Sequence, residues 1–115
     1  MAYRALFHLD EAASCKVESI LRSVGHLLEE LGPQGLEIEL VAHGDGITAL
    51  RRTANPFAHT LRQLAERGVR LAACHNTMQR LGLSPDDLLD VAQVVPSGVG
   101  ELVRRQAEGW AYVRL

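Results

Sequence analysis

Apolar positions in this chain fall in short runs separated by longer amphipathic stretches. "YRALFHL" (3–9) reads as a short buried strand. Residues 12–31 then place Val17, Ile20, Leu21, Val24, Leu27, Leu28 and Leu31 on one helical stripe, with Asp10 as a candidate N-cap. "GPQG" (32–35) ends that helix, and "LEIELVAH" (36–43) opens by alternating apolar and acidic residues, the pattern of a half-exposed strand. After the "GDG" turn (44–46), the short helical piece "ITALRR" leads to Asn55-Pro56, a cap followed by a proline at the first helical position. Phe57, Leu61 and Leu64 line one face of the helix that follows, which stops at Gly68. "VRLAAC" (69–74) is a third strand, followed by a short helix over Thr77–Leu81. "SPDDLLDV" predicts a further helix start, with Ser84 and Asp87 at capping-box positions. "AQVVP" (92–96) is a fourth strand. Ser97 caps a helix carrying Val99, Leu102 and Val103, Gly109 ends it, and "WAYVRL" (110–115) is a fifth strand.

Strands alternating with helices predict a single α/β domain spanning 1–115. Its expected architecture is three-layer α/β/α around a five-stranded, mainly parallel sheet of flavodoxin- or Rossmann-like type. The pattern does not give the strand order, although the alternation in strands two and five points them toward the sheet edges. In a parallel sheet the carboxyl ends of all strands share one rim, where ligands bind. That rim collects His8 and Asp10 from strand one and His43, Gly44 and Asp45 from strand two. Strand three adds Cys74, His75 and Asn76, and strand four adds Pro96, Ser97 and Gly98.

Composition narrows the class further. A net charge of −2 over 115 residues gives no electrostatic footprint for nucleic acid or an acidic membrane surface. No apolar stretch is long enough to span a bilayer, and "MAYRALFHLDEA" lacks the long apolar core of a signal peptide, so the cytoplasm is the expected location. Two cysteines, Cys15 and Cys74, form neither a zinc pattern nor a disulfide framework. With no close pair such as HxH or CxxC, no metal site is expected, and no cofactor is implied.

Cys74 directly precedes a helix start, where unpaired N–H groups favour an anion and so raise the thiolate fraction. His75, adjacent in sequence, or His43 across the rim adds to this if charged, and Asn76 and Thr77 are candidate hydrogen-bond donors. The plainer reading keeps Cys74 as a small buried core residue, a common fate of cysteine. Cys15 falls opposite the apolar stripe of its helix and is expected at the surface near the same rim. "SGVGEL" (97–102) opens a helix with two glycines, so Ser97 and Gly98 could receive an anion on backbone N–H groups. It lacks the GxGxxG and GxxxxGK[ST] patterns, and a tight strand-to-helix turn is the better explanation. Ser84 and Ser97 read as caps, and there is no nucleophile elbow.

"GVRLAACHNTMQRLGL" and "AQVVPSGVGELVRRQAEGWAYVRL", with the upstream "H..ANPF...L..L...GV" spacing, resemble the DsrE/DsrF-like family, in particular its small stand-alone members. The resemblance implies a homo-oligomer, a trimer or hexamer. Sulfur-relay members hold sulfur as a persulfide on a cysteine in this region and pass it between donor and acceptor proteins, and Cys74 is the residue onto which that role maps. The implied activity is sulfur transfer through a cysteine persulfide. The alternative is a non-catalytic oligomeric module that binds a small anionic ligand or nucleotide at the rim, with Trp110, Tyr112 and the half-polar strands serving subunit contacts. A fold does not choose between these readings.

Overall fold

The structure, a computed structural model, describes residues 2–115. Its regular elements are β1 (Tyr3–Leu9), α1 (Ser14–Leu31), β2 (Leu36–Ala42), α2 (Ala58–Glu66), β3 (Arg70–Cys74), α3 (His75–Leu81), β4 (Ala92–Val95), α4 (Gly98–Ala107) and β5 (Ala111–Val113). Short 3-10 turns fill 32–34, 44–50 and 85–87. Two local expectations are corrected. Asp10 does not cap α1, whose N-cap is Ala13; its carboxylate instead meets Arg114 at 2.9 Å. The capping box at Ser84 forms, with its N–H donating to Asp87 Oδ2 at 2.8 Å, but no α-helix follows. Leu88 and Leu89 are buried, and the Leu89 N–H is drawn to the Leu50 carbonyl at 2.8 Å, which keeps the chain extended there.

All five strands are parallel, in the order β4-β3-β2-β1-β5. The order reverses at β1, whose neighbours are β2 and β5. Alternation along each strand divides the sheet into two faces. Ala5, Phe7 and Leu9 of β1, with Ile38, Leu40, Leu71 and Ala73, pack with Val17, Ile20, Val24, Leu61 and Leu64 of α1 and α2 in the main core. Leu6, Val41 and Ala72 form a smaller cluster with Leu102 of α4 and Trp110 on the other face. In crossing from edge strand β4 to edge strand β5, α4 passes over β3, β2 and β1. This is the expected three-layer arrangement.

Strand β2 lies at the centre of the sheet rather than toward an edge. The acidic alternation that suggested exposure belongs partly to Glu39, whose side chain is buried beneath α4 and paired with Arg105 at 3.0 Å. Trp110 is likewise buried within the chain, with the Arg105 guanidinium 4.9 Å from its ring, so it offers no surface for subunit contact.

The 3-10 turn after β2 presses on the end of β1. The Gly46 N–H bonds the His43 carbonyl at 3.0 Å, and a Cβ on Gly46 would lie 2.1 Å from the Leu9 carbonyl oxygen. Backbone cannot yield there as a flexible side chain can. Gly46→Ala is expected to cost about 1–3 kcal/mol of unfolding free energy in urea titration.

Candidate functional site

Strand β3 delivers Cys74 to the carboxyl rim on the α4 face, and the same residue is the N-cap of α3. Its sulfur accepts the Thr77 N–H at 3.4 Å. The α3 segment is short because Gly82 stops it in the left-handed conformation, φ 69°. A second helix start reaches the same atom. Ser97 caps α4 by accepting the Gly100 N–H at 2.8 Å, which leaves the Gly98 N–H turned to the Cys74 sulfur.

Thr77 ties the site to β2. Its hydroxyl oxygen accepts the Gly44 N–H at 2.9 Å, which leaves its own proton for the sulfur. Burial pushes the Cys74 thiol up. The Thr77 hydroxyl and the N–H groups of Thr77, Gly98 and Asn76 outweigh it and hold the thiol below its ordinary value. These are the donors a thiolate needs, converging from the positive ends of two helices. The residue is only 5% exposed, and the Thr77 and Gly98 around it are also buried.

His43 packs over Gly98, where a Cβ would come within 2.9 Å of the His43 Cβ. The β2–β3 register pairs Ala42 with Ala73, so one step further sets His43 beside Cys74 on the same face. His43 Nε2 lies 2.5 Å from His8 Nε2, with the ring planes within 18° of parallel. His8 Nδ1 lies 2.6 Å from the Tyr112 hydroxyl and 3.3 Å from the Arg114 guanidinium, which itself pairs with Asp10. A guanidinium can only donate, so His8 Nδ1 accepts. The His8 proton then sits on Nε2 and points at His43. Burial lowers the His8 pKa, as do the neighbouring His43 and Arg114, and Asp10 opposes them. Burial pushes the Asp10 carboxyl up, but the bond to Arg114 and its charge outweigh this and lower it.

Of the residues marked by the sequence, Cys74, Thr77, Gly98 and His43 come together. Ser97 contributes as the cap of α4, and Asn76 contributes through its backbone N–H while its side chain is exposed. His75 is exposed, as adjacent side chains at a strand end diverge. Cys15 is exposed on α1, on the opposite side of the sheet from the α4 face, and both thiols are free. Sequence spacing gave no metal pair, yet the fold brings ligating atoms of His8, Asp10 and His43 within 4.8 Å of one another. Tyr112 and Arg114 escaped notice as site residues because their approach to His8 depends on β5 lying beside β1. A groove of about 480 Å³ between α1 and α2, lined by Ser14, Glu18, Arg22 and Phe57 among others, is formed by the helices of the opposite face.

The sequence profile of the DsrE/DsrF-like family matches residues 2–115. The structure is similar to that of MTH1491, a protein of unknown function from Methanobacterium thermoautotrophicum. That likeness has a TM-score of 0.94 and 42% identity, covering 98% of this chain and 99% of the other. It also shares its fold with the ychN protein from E. coli, with a TM-score of 0.77 and 19% identity over 100% of both chains. No curated protein sequence matches the chain. Among the described residues, no helix is long and apolar enough to cross a membrane.

Proposed function

The chain belongs to the DsrE/DsrF-like family, and we propose that it carries sulfane sulfur on Cys74 as a persulfide. The observation that carries this reading is the place of Cys74 as N-cap of α3, its sulfur accepting the Thr77 N–H, with the Thr77 hydroxyl and the Gly98 N–H beside it holding the thiol below its ordinary value. Loading begins when the Cys74 thiolate attacks the outer sulfur of a donor persulfide. The donor S–S bond breaks, the donor thiolate leaves with the bonding electron pair, and Cys74 holds the new S–S bond. In delivery, an acceptor thiolate attacks that outer sulfur and Cys74 leaves as the thiolate. Each step is an exchange with no net redox change. A low thiol pKa helps both, supplying the nucleophile in the first and a good leaving group in the second.

The competing reading, a module that binds a free anion at this rim, has fewer groups to work with. The Thr77 N–H is bonded to the sulfur, and the N–H groups of Asn76 and Gly98 lie close enough to it to lower the thiol pKa. The reading is tested by incubating the protein with a small-molecule persulfide, removing excess donor, adding an acceptor thiol and measuring sulfur delivered. The wild type and Cys15→Ser are expected to deliver sulfur, whereas Cys74→Ser delivers none. Delivery by Cys74→Ser at the wild-type level would remove Cys74 from the mechanism.

A further inference from the structure

His8 and His43 end adjacent strands with their Nε2 atoms 2.5 Å apart. Two imidazole nitrogens that close cannot both present lone pairs, so something positive must lie between them. A proton satisfies this pair, but a proton takes two acceptors and the structure supplies a third ligand. Asp10 brings a carboxylate oxygen within 4.8 Å of the histidine ligating atoms. We propose that His8, His43 and Asp10 form a binding site for a divalent first-row transition metal. The proposal does not rest on the role of Cys74.

The chemistry of the three ligands selects the ion. Two imidazoles and one carboxylate suit zinc, cobalt, nickel or copper, whereas magnesium and calcium prefer all-oxygen sets. Metal–nitrogen bonds of about 2.0–2.1 Å in a tetrahedral site put the two nitrogens about 3.3 Å apart. The rings therefore have to separate by about 0.8 Å from the 2.5 Å contact and to tilt, because centroids only 4.7 Å apart set the two nitrogens nearly head-on. Loading needs no net loss of a proton. The His8 proton moves from Nε2 to Nδ1, where the Tyr112 oxygen, 2.6 Å away, becomes its acceptor and the 3.3 Å contact with the Arg114 guanidinium has to give way. That exchange gives His8 the outer partner that metal-bound histidines generally have. Arg114 engages Oδ2 of Asp10 at 2.9 Å, which orients the carboxylate. The Arg114 charge opposes the cation and the Asp10 charge compensates for it. Three protein ligands leave a fourth position open, the arrangement of reactive rather than structural sites. All three residues are half-buried, so an ion reaches them from solvent.

Titration of the full chain with Co²⁺, followed by visible absorption, tests the assignment. The expected result is one ion per chain, with the d–d bands of a four- or five-coordinate nitrogen–oxygen site. Zn²⁺ displaces it and Mg²⁺ does not. His8→Gln and His43→Gln are expected to abolish binding while the far-ultraviolet circular dichroism stays unchanged. Tyr112→Phe removes only the outer partner and is expected to weaken binding about tenfold. Cys74→Ser is expected to bind Co²⁺ normally, which separates this site from the sulfur chemistry. The assignment is overturned by an absence of binding, by binding that survives both histidine variants, or by a sulfur-to-cobalt charge-transfer band.

Discussion

Replacing Arg105 by methionine is expected to destabilise the protein by about 3–5 kcal/mol, because it strands buried carboxylates without their counter-ion. Arg105 reaches Glu39 with two nitrogens, at 3.0 and 3.1 Å, and Glu101 at 3.2 Å. Both carboxylates are 2% exposed, and Glu39 sits on the central strand with the sheet beneath it and α4 above. Glu101 keeps a second partner in Arg104, so most of the cost falls on Glu39. The double variant Glu39→Leu with Arg105→Met removes both charges and is expected to recover most of the lost stability, as apolar replacements of buried pairs often do. Urea midpoints with an unchanged slope would report this directly. A single-variant loss below about 1 kcal/mol would mean that Glu39 is solvated, and the placement of β2 would be wrong.

Gly98→Ala is expected to slow alkylation of Cys74 at neutral pH by about tenfold or more, through loss of one charge-assisted hydrogen bond to the thiolate. The new methyl group would lie 2.9 Å from the His43 Cβ, so the first turn of α4 must lift away and carry the Gly98 N–H off the sulfur. Removing a donor to the anionic form raises the thiol pKa, and the alkylation profile moves to higher pH. Burial of the sulfur sets the absolute rate, and the thiolate fraction sets its pH dependence. For this reason the profile, measured with Cys15 replaced by serine, is the informative quantity. Thr77→Val should move it in the same direction, since that substitution deletes the hydroxyl donor. An unmoved profile in both variants would mean that these donors do not set the thiol pKa.

Much of the fold was legible because the short apolar runs and glycine stops mark each strand independently. "YRALFHL" matches β1, Tyr3–Leu9, to the residue. What failed depended on partners far along the chain. Glu39 looked like a solvent-facing residue because its counter-ion lies 66 positions away, and Leu88 and Leu89 left the helical path because Leu50 competes for the backbone. The site divides the same way. Cys74 and Thr77 share one strand–helix junction, so the sequence places them together. The second helix start at Gly98 was visible as a glycine-opened turn, but its target was not. The His8–Tyr112 contact spans 104 positions and follows only from β5 pairing with β1, which no local pattern encodes.

The central claim is that the Cys74 thiol accepts and holds a sulfur atom. Intact-mass measurement of the Cys15→Ser protein after exposure to a sulfane-sulfur donor tests it most directly. The expected result is a gain of one sulfur atom, located at Cys74 by fragmentation and removed by a thiol reductant. A mass unchanged by the donor, or a gain that persists in the Cys15→Ser, Cys74→Ser double variant, would contradict it.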